Sequence, residues 1–434
     1  MKKIIILLSV VLISIATFFY IKEPNKSNID LFSELKDIPG VVSVKKMEVK
    51  PYKNYYEIYF KQAIDHNDLS KGFFKQRVLL GHIDLNKPMV VEIQGYNIWT
   101  SRQGELSRLL NANQLTIEHR FFKDSKPKGG LIPWKDLTIK NAAYDQHVII
   151  QAIKKIYSKS KWITTGISKG GQTTIIHRYY YPNDVDASVP YVAPLNLSRV
   201  DPRIQKFLDT VGSKEERKAI YDFQILCFEN ISKMLPMMKE YCKKNNYSFN
   251  DVRSNKRALE LSILEYPFAY WQWGNVKMND IPKDKKDIKA IFMHLVKNGD
   301  PGFFEDSKIE FQRPYFWAAM IEMGIYDYKI APFKKYLKDE KDICFEHTLP
   351  KGFENVKFDG SEMKKIYNWI QTDAENMLFI VGGLDTWGST SVVLNGNNKC
   401  AKYVLANGHH GTRISSFNEK DRKEIMKKIN EWIK

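Results

Sequence analysis

Trp162-Ile163-Thr164-Thr165-Gly166-Ile167-Ser168-Lys169-Gly170-Gly171 decides the reading of this chain. A short run rich in β-branched residues ends on a serine held between glycines, and a helix-compatible stretch, 172–181, begins at once. Stiff β-branched side chains suit a strand. A serine at a sharp strand-to-helix turn needs small neighbours, which is why glycine flanks it on both sides. The helix that follows aims its first N–H groups at the place where negative charge develops in acyl transfer. Ser168 is therefore the candidate nucleophile. The bare G-x-S-x-G pattern occurs by chance in many chains, so the strand before it, the helix after it and the partners elsewhere must carry the argument.

Upstream, 43–64 and 73–83 read as strands separated by turn residues, the antiparallel start of a mixed sheet. Residues 89–93 form a short apolar strand that ends in Gln94-Gly95-Tyr96. A short helix is expected over 103–110, a strand over 114–122, a long helix over 137–157, and strands over 162–168 and 187–192. This alternation fits right-handed crossovers in a parallel sheet. From 201 to about 360 the pattern turns mostly helical, as in 214–243, 255–264 and 315–323. Sheet rhythm returns at 376–385 and 401–406, and a helix over 419–433 closes the chain. The expected organisation is a leader or anchor with its linker over 1–28, the first part of an α/β core over 29–200, an inserted helical cap over 201–365 and the second part of the core over 366–434. No low-complexity tract or repeat period is visible, which argues against a solenoid or propeller.

A nucleophilic serine on such a sheet needs its partners in the order acid then histidine, each after a strand. The run 377–381 leads into Gly382-Gly383-Leu384-Asp385-Thr386-Trp387, which makes Asp385 the candidate acid. The run 403–406 leads into Asn407-Gly408-His409-His410-Gly411, so the base is one of two adjacent histidines. Asp385 and His410 are 25 residues apart, room for one helix and one strand. The histidine would take the serine proton and return it to the leaving group, with the acid fixing its tautomer. Two N–H groups must hold the oxyanion. The expected donors are Lys169, which follows the nucleophile, and Tyr96, which follows Gly95 on an earlier strand end.

The chain has 434 residues, 43% hydrophobic and 13% aromatic, enough for a large core. The net charge of +17 comes mostly from lysines interleaved with acids, as in Lys283-Asp284-Lys285-Lys286-Asp287. That is a solvated basic surface, and no nucleic-acid partner is expected. Lys2 and Lys3 precede an uncharged apolar run over 4–20, the form of an export signal or an uncleaved anchor. The expected location is periplasmic, secreted or tethered at the outer face, with membrane contact only through that segment if it is retained. Cys227, Cys242, Cys344 and Cys400 form no C-x-x-C pair, and Cys227 and Cys242 are either a disulfide or buried thiols. No His/Asp/Glu cluster has metal-ligand spacing, so neither a metal nor a cofactor is expected. His119 and His177 read as packed core histidines.

Further segments narrow the reading. They are Glu92-Ile93-Gln94-Gly95-Tyr96, the run 113–122 with Glu118-His119-Arg120-Phe121-Phe122, Tyr181-Pro182-Asn183-Asp184-Val185-Asp186, Ile321-Glu322-Met323-Gly324-Ile325-Tyr326 and the run 408–414. Together with Gly-x-Ser-Lys-Gly-Gly they resemble the bacterial secreted tripeptidyl aminopeptidases, family thirty-seven of the serine peptidases, relatives of prolyl carboxypeptidase and dipeptidyl peptidase II. The resemblance spans nearly the whole chain after the N-terminal segment. It implies an α/β-hydrolase fold, a helical cap, and release of short peptides, tripeptides above all, from substrates with a free N-terminus. It places nucleophile, acid and base on Ser168, Asp385 and His410. The family reads Gly-Ser-His-Gly where this chain has Gly408-His409-His410-Gly411, which selects His410. It reads Asp-Pro-Trp where Asp385-Thr386-Trp387 stands, a change expected to alter loop stiffness only. Gln94 occupies a position where an acid is more usual, so no charged role is carried over to it.

An aminopeptidase must also bind an ammonium group, which calls for a carboxylate near the mouth of the site. Glu118 and Glu322 are the candidates. Glu118 has the alternative of pairing with Arg120, and Glu322, in the aromatic cap, is preferred. Fold and triad do not choose the acyl group, so a lipase or esterase is the competing reading. A non-catalytic binding protein is a third, opposed by the intact Ser, Asp and His set.

Overall fold

The structure, a computed structural model, describes residues 30–434. The leader or anchor read over 1–28 lies outside the described residues. Among the described residues no helix is long and apolar enough to cross a membrane.

Nine strands form one sheet: β1 (Val41–Met47), β2 (Asn54–Ala63), β3 (Phe73–His82), β4 (Met89–Ile93), β5 (Asn113–Ile117), β6 (Trp162–Ile167), β7 (Ala187–Tyr191), β8 (Leu378–Gly382) and β9 (Ala401–Leu405). Their spatial order is β1-β2-β3-β5-β4-β6-β7-β8-β9. Pairing is antiparallel from β1 as far as β5 and parallel from β5 to β9. The parallel strands β5, β7 and β8 are buried at every position because helices cover both faces. Alternation along a strand divides their side chains between two cores. Val91 of β4 faces the core built with α1 (Leu31–Lys36) and α3 (Ile139–Lys154), beside which α4 (Lys169–Tyr180) and α11 (Ser361–Thr372) pack. Val90 faces the other core, with α2 (Glu105–Leu109) and α12 (Glu419–Trp432). This is the α/β-hydrolase fold.

Between β7 and β8 the chain leaves the sheet. There it forms α5 (Pro202–Leu208), α6 (Lys214–Glu229), α7 (Ile231–Asn245), α8 (Asn255–Trp273), α9 (Ile288–Asn298) and α10 (Asp306–Ala318). Most of these pack round their own aromatic core, which includes Phe223, Tyr266, Leu295, Phe304 and Phe316. A helix apolar on all sides belongs in the middle of such a cluster. α8 is that helix, with nearly every residue from Arg257 to Trp271 buried.

Some boundaries differ from the expectations. The stretch 214–243 is two helices, α6 and α7, broken at Asn230, whose amide side chain turns back to the Leu226 carbonyl. The helix at 255–264 runs on to Trp273 and ends on Gly274 in a left-handed conformation. β5 stops at Ile117, and the next residues turn away, with Phe121 at φ 66°. No α-helix separates Asp385 from His410. The segment holds a short 3-10 turn, Thr386–Thr390, and a loop into β9. Its β-branched, Asn and Gly residues are poor helix formers, so it turns instead. Cys227 and Cys242 sit on α6 and α7 as buried free thiols, and Cys344 and Cys400 are free as well.

Candidate active site

Ser168 joins β6 to α4 with φ 58° and ψ −122°, a conformation that costs a non-glycine residue about 1–3 kcal/mol. Close packing around it maintains the strain. A Cβ on Gly166 would lie 2.2 Å from the Gly170 carbonyl oxygen, and one on Gly170 would lie 2.6 Å from that of Ile93. Only glycines let the first turn of α4 sit directly on β4 and β6. The Ser168 N–H donates to the Tyr191 carbonyl at 2.9 Å, which ties the turn to β7 as well.

Asp385 leaves β8 fully buried. Its Oδ1 accepts the Trp387 N–H at 3.1 Å, and its Oδ2 lies 2.7 Å from His410 Nδ1. This contact fixes the ring so that Nε2 is the nitrogen left for the cavity. The neighbouring histidine is occupied elsewhere: His409 Nδ1 lies 2.7 Å from the Trp271 carbonyl. The His410 N–H donates to the Gln272 carbonyl at 2.8 Å. These are two of the last four carbonyls of α8, which have no partner within their own helix. The end of a cap helix thus holds the histidine loop. Gly274 makes room, since a Cβ at that position would lie 2.2 Å from the His409 ring.

Ser168, Lys169, Tyr96 and His410 line one cavity of about 730 Å³ between the carboxyl ends of the strands and the cap. The Lys169 N–H is the first of α4, with no carbonyl one turn back to accept it. The Lys169 side chain is buried, and burial lowers its pKa to about 7. His119 and His177 are buried, with His119 Nδ1 3.0 Å from the Arg120 carbonyl and His177 Nε2 3.0 Å from Asp184.

The two carboxylates expected at the mouth lie elsewhere. Glu118 is fully buried behind the 94–98 loop, accepting the Ile98 N–H at 2.8 Å and the Ser125 hydroxyl at 2.9 Å. Burial raises its pKa to about 7. It does not pair with Arg120, whose guanidinium grips Asp145 at 2.7 and 2.8 Å. Glu322 accepts the Ile139 N–H at 3.0 Å and so caps α3, where a helix N-terminus favours a carboxylate. Neither lines the cavity.

Three other carboxylates do: Glu92, Glu265 and Asp300. Glu92 is pushed up by burial and accepts from Gln94 Nε2 at 3.0 Å. Glu265, on α8, accepts the hydroxyls of Tyr326 and Tyr328, each at 2.8 Å, and burial raises its pKa to about 8. The sequence carries a signal for it, an acid inside the apolar run Leu264-Glu265-Tyr266. A carboxylate buried on a core helix has to answer to a partner or a ligand. Among the described residues no group of three or more His, Cys, Asp or Glu is arranged to hold a metal ion.

The chain is similar to solved α/β-hydrolase structures. A thermostable carboxyl esterase from Bacillus coagulans is 13% identical with a TM-score of 0.38, covering 88% of this chain and 99% of the other. An α/β hydrolase from Novosphingobium aromaticivorans is 10% identical with a TM-score of 0.39, covering 87% and 98%. The prolyl tri/tetrapeptidyl aminopeptidase of Streptomyces mobaraensis is 29% identical over 412 residues, 93% of this chain and 85% of that protein. The model of the PS-10 peptidase S37 family matches residues 23–434, and with the match running through elbow, cap and histidine loop alike, the chain belongs to that family and is a serine hydrolase.

Proposed function

We propose that this protein is an exported serine exopeptidase that releases short peptides, tripeptides above all, from free N-termini through Ser168, His410 and Asp385. The observation that carries the reading is the shared cavity. A strained serine, a histidine held on a buried aspartate and a buried carboxylate, Glu265, all face it beneath the cap. His410 takes the Ser168 proton as Oγ attacks the scissile carbonyl, and Asp385 holds the imidazolium. The N–H groups of Lys169 and Tyr96 receive the oxyanion. His410 then protonates the leaving amine, and water resolves the acyl-enzyme by the same route.

Glu265 replaces Glu118 and Glu322 as the carboxylate that receives the substrate ammonium. Its two tyrosine hydroxyls offset part of the burial that keeps it protonated up to about pH 8, and an incoming ammonium favours the charged form. The Streptomyces mobaraensis relative, named a prolyl tri/tetrapeptidyl aminopeptidase, supports the short-fragment part of the reading. Export is supported by Lys2, Lys3 and the uncharged run that follows. Free and N-acetylated versions of one peptide, digested and read by mass spectrometry, test the reading. Cleavage of the free form alone is expected. Equal cleavage of both, or hydrolysis of simple esters without either peptide, would favour the esterase.

A further inference from the structure

Lys169 presents two groups to the site. One is its N–H, beside the nucleophile. The other is a side chain that runs back under the neighbouring loop, where Nζ donates to the Gly95 carbonyl at 2.7 Å. The side chain is 1% exposed, and Nζ lies 5.8 Å from the Tyr96 ring centroid and 5.6 Å from that of Phe122. Burial lowers its pKa to about 7, and among the described residues no carboxylate forms an ion pair with it. A buried ammonium with no counter-ion destabilises the fold, so its place calls for a functional reason.

The peptide plane supplies the reason. The Gly95 carbonyl and the Tyr96 N–H belong to one planar trans unit, so they point in opposite directions. A bond that fixes the carbonyl against Lys169 Nζ aims the N–H the opposite way, away from Nζ. Polarising that carbonyl also makes the same amide a stronger donor. The rest of the loop is tied to the end of β5 and the residues after it. The Gln94 N–H donates to the Ile117 carbonyl, and the Tyr96 carbonyl accepts from His119, both at 3.0 Å. Between them the Gly95 carbonyl is held by Lys169. The approach is close, because a Cβ on Gly95 would lie 2.5 Å from the Gly170 nitrogen and 2.6 Å from Lys169 Cβ.

We propose that the Lys169 side chain is the positioning residue of the oxyanion hole, clamping the Gly95 carbonyl so that the Tyr96 N–H faces the tetrahedral oxygen. One residue then contributes the first donor directly and aims the second. The proposal rests on the Ser168 reading above.

Lys169→Met keeps the length and removes the donor. Its kcat should fall about 10- to 100-fold with KM within about threefold, since the oxyanion forms only in the transition state. Affinity for a peptide boronic acid, which forms a tetrahedral adduct, should fall by the same factor as kcat/KM. A Lys169→Met protein with unchanged kcat and boronate affinity overturns the proposal. So does one that changes KM alone, which would make the side chain a pocket wall. Melting temperatures are recorded in parallel, and Lys169→Leu, which also lacks a donor, is read in the same way if the methionine variant does not fold. Wild-type protein treated with a serine-directed fluorophosphonate separates the two readings. Labelling of Ser168 with an indifferent Lys169→Met sinks the clamp alone, whereas no labelling sinks the nucleophile.

Discussion

Ser168, Asp385 and His410 differ in how much each depends on its surroundings, and their variants should differ accordingly. Ser168→Ala should leave about 10⁻⁴ of wild-type turnover or less, because nothing else in the cavity replaces the nucleophile. Asp385→Asn should fold and keep KM but lose about 10³- to 10⁴-fold in kcat, since an amide favours the wrong imidazole tautomer. Glu265→Gln should raise KM for free-amine peptides about 10- to 100-fold and leave hydrolysis of a small ester unchanged. Losing a charged hydrogen-bond partner has about that effect. The stability of this variant carries a sign. The Glu265 pKa rises from 4.5 to about 8 on burial, so the folded protein binds more protons than the unfolded chain between those values. The carboxyl therefore destabilises the fold progressively as pH rises from about 4.5 to 8. Glu265→Gln should gain melting temperature over wild type at pH 8.5 relative to pH 4.5, and equal differences at both would remove the buried-acid account. The three triad candidates were readable from the sequence because each sits at a strand end among glycines, a local pattern. The carboxylates that line the cavity were not, since what a glutamate faces depends on the packing of the whole cap. Glu118 and Glu322 carried the right charge in resembling segments, yet one supports a loop and the other caps α3.

At the scale of elements, the end of α8 matters most. Its terminal carbonyls receive the histidine loop: the Trp271 carbonyl lies against His409 Nδ1 and the Gln272 carbonyl accepts the His410 N–H. Gly274 allows this with φ 63° and an open α-carbon. Gly274→Ala should destabilise by about 1–2 kcal/mol, as an alanine in a left-handed conformation does, and should also lower kcat by displacing His409 and with it His410. Unfolding by urea and steady-state kinetics on the same preparation check both. A loss of stability with full kcat would mean that the loop is held without α8. Strands β4, β6, β7 and β8 were legible within a few residues because burial on both faces makes each a short continuous apolar run between turn residues, whereas the stretch 43–64 is two strands, β1 and β2, parted by a turn. The loop between Asp385 and β9 was not, because a spacing of 25 residues admits a helix that its Asn, Gly and β-branched residues do not form. The length of α8 was missed for the opposite reason: a helix buried on all sides has no polar face to mark its extent.

At the scale of the molecule, one mixed sheet supplies the serine, acid and histidine loops along its carboxyl edge, and the inserted helices roof them. The cavity of about 730 Å³ lies within the usual range of small-ligand sites, about 300–1,000 Å³. A time-resolved mass-spectrometric digest of one long peptide, free and N-acetylated, decides whether this is an exopeptidase that reads a free amine beneath the cap. The account predicts that short fragments, chiefly tripeptides, leave the free N-terminus in sequence while the acetylated peptide stays intact. Internal cleavage, or equal digestion of the acetylated form, would contradict it.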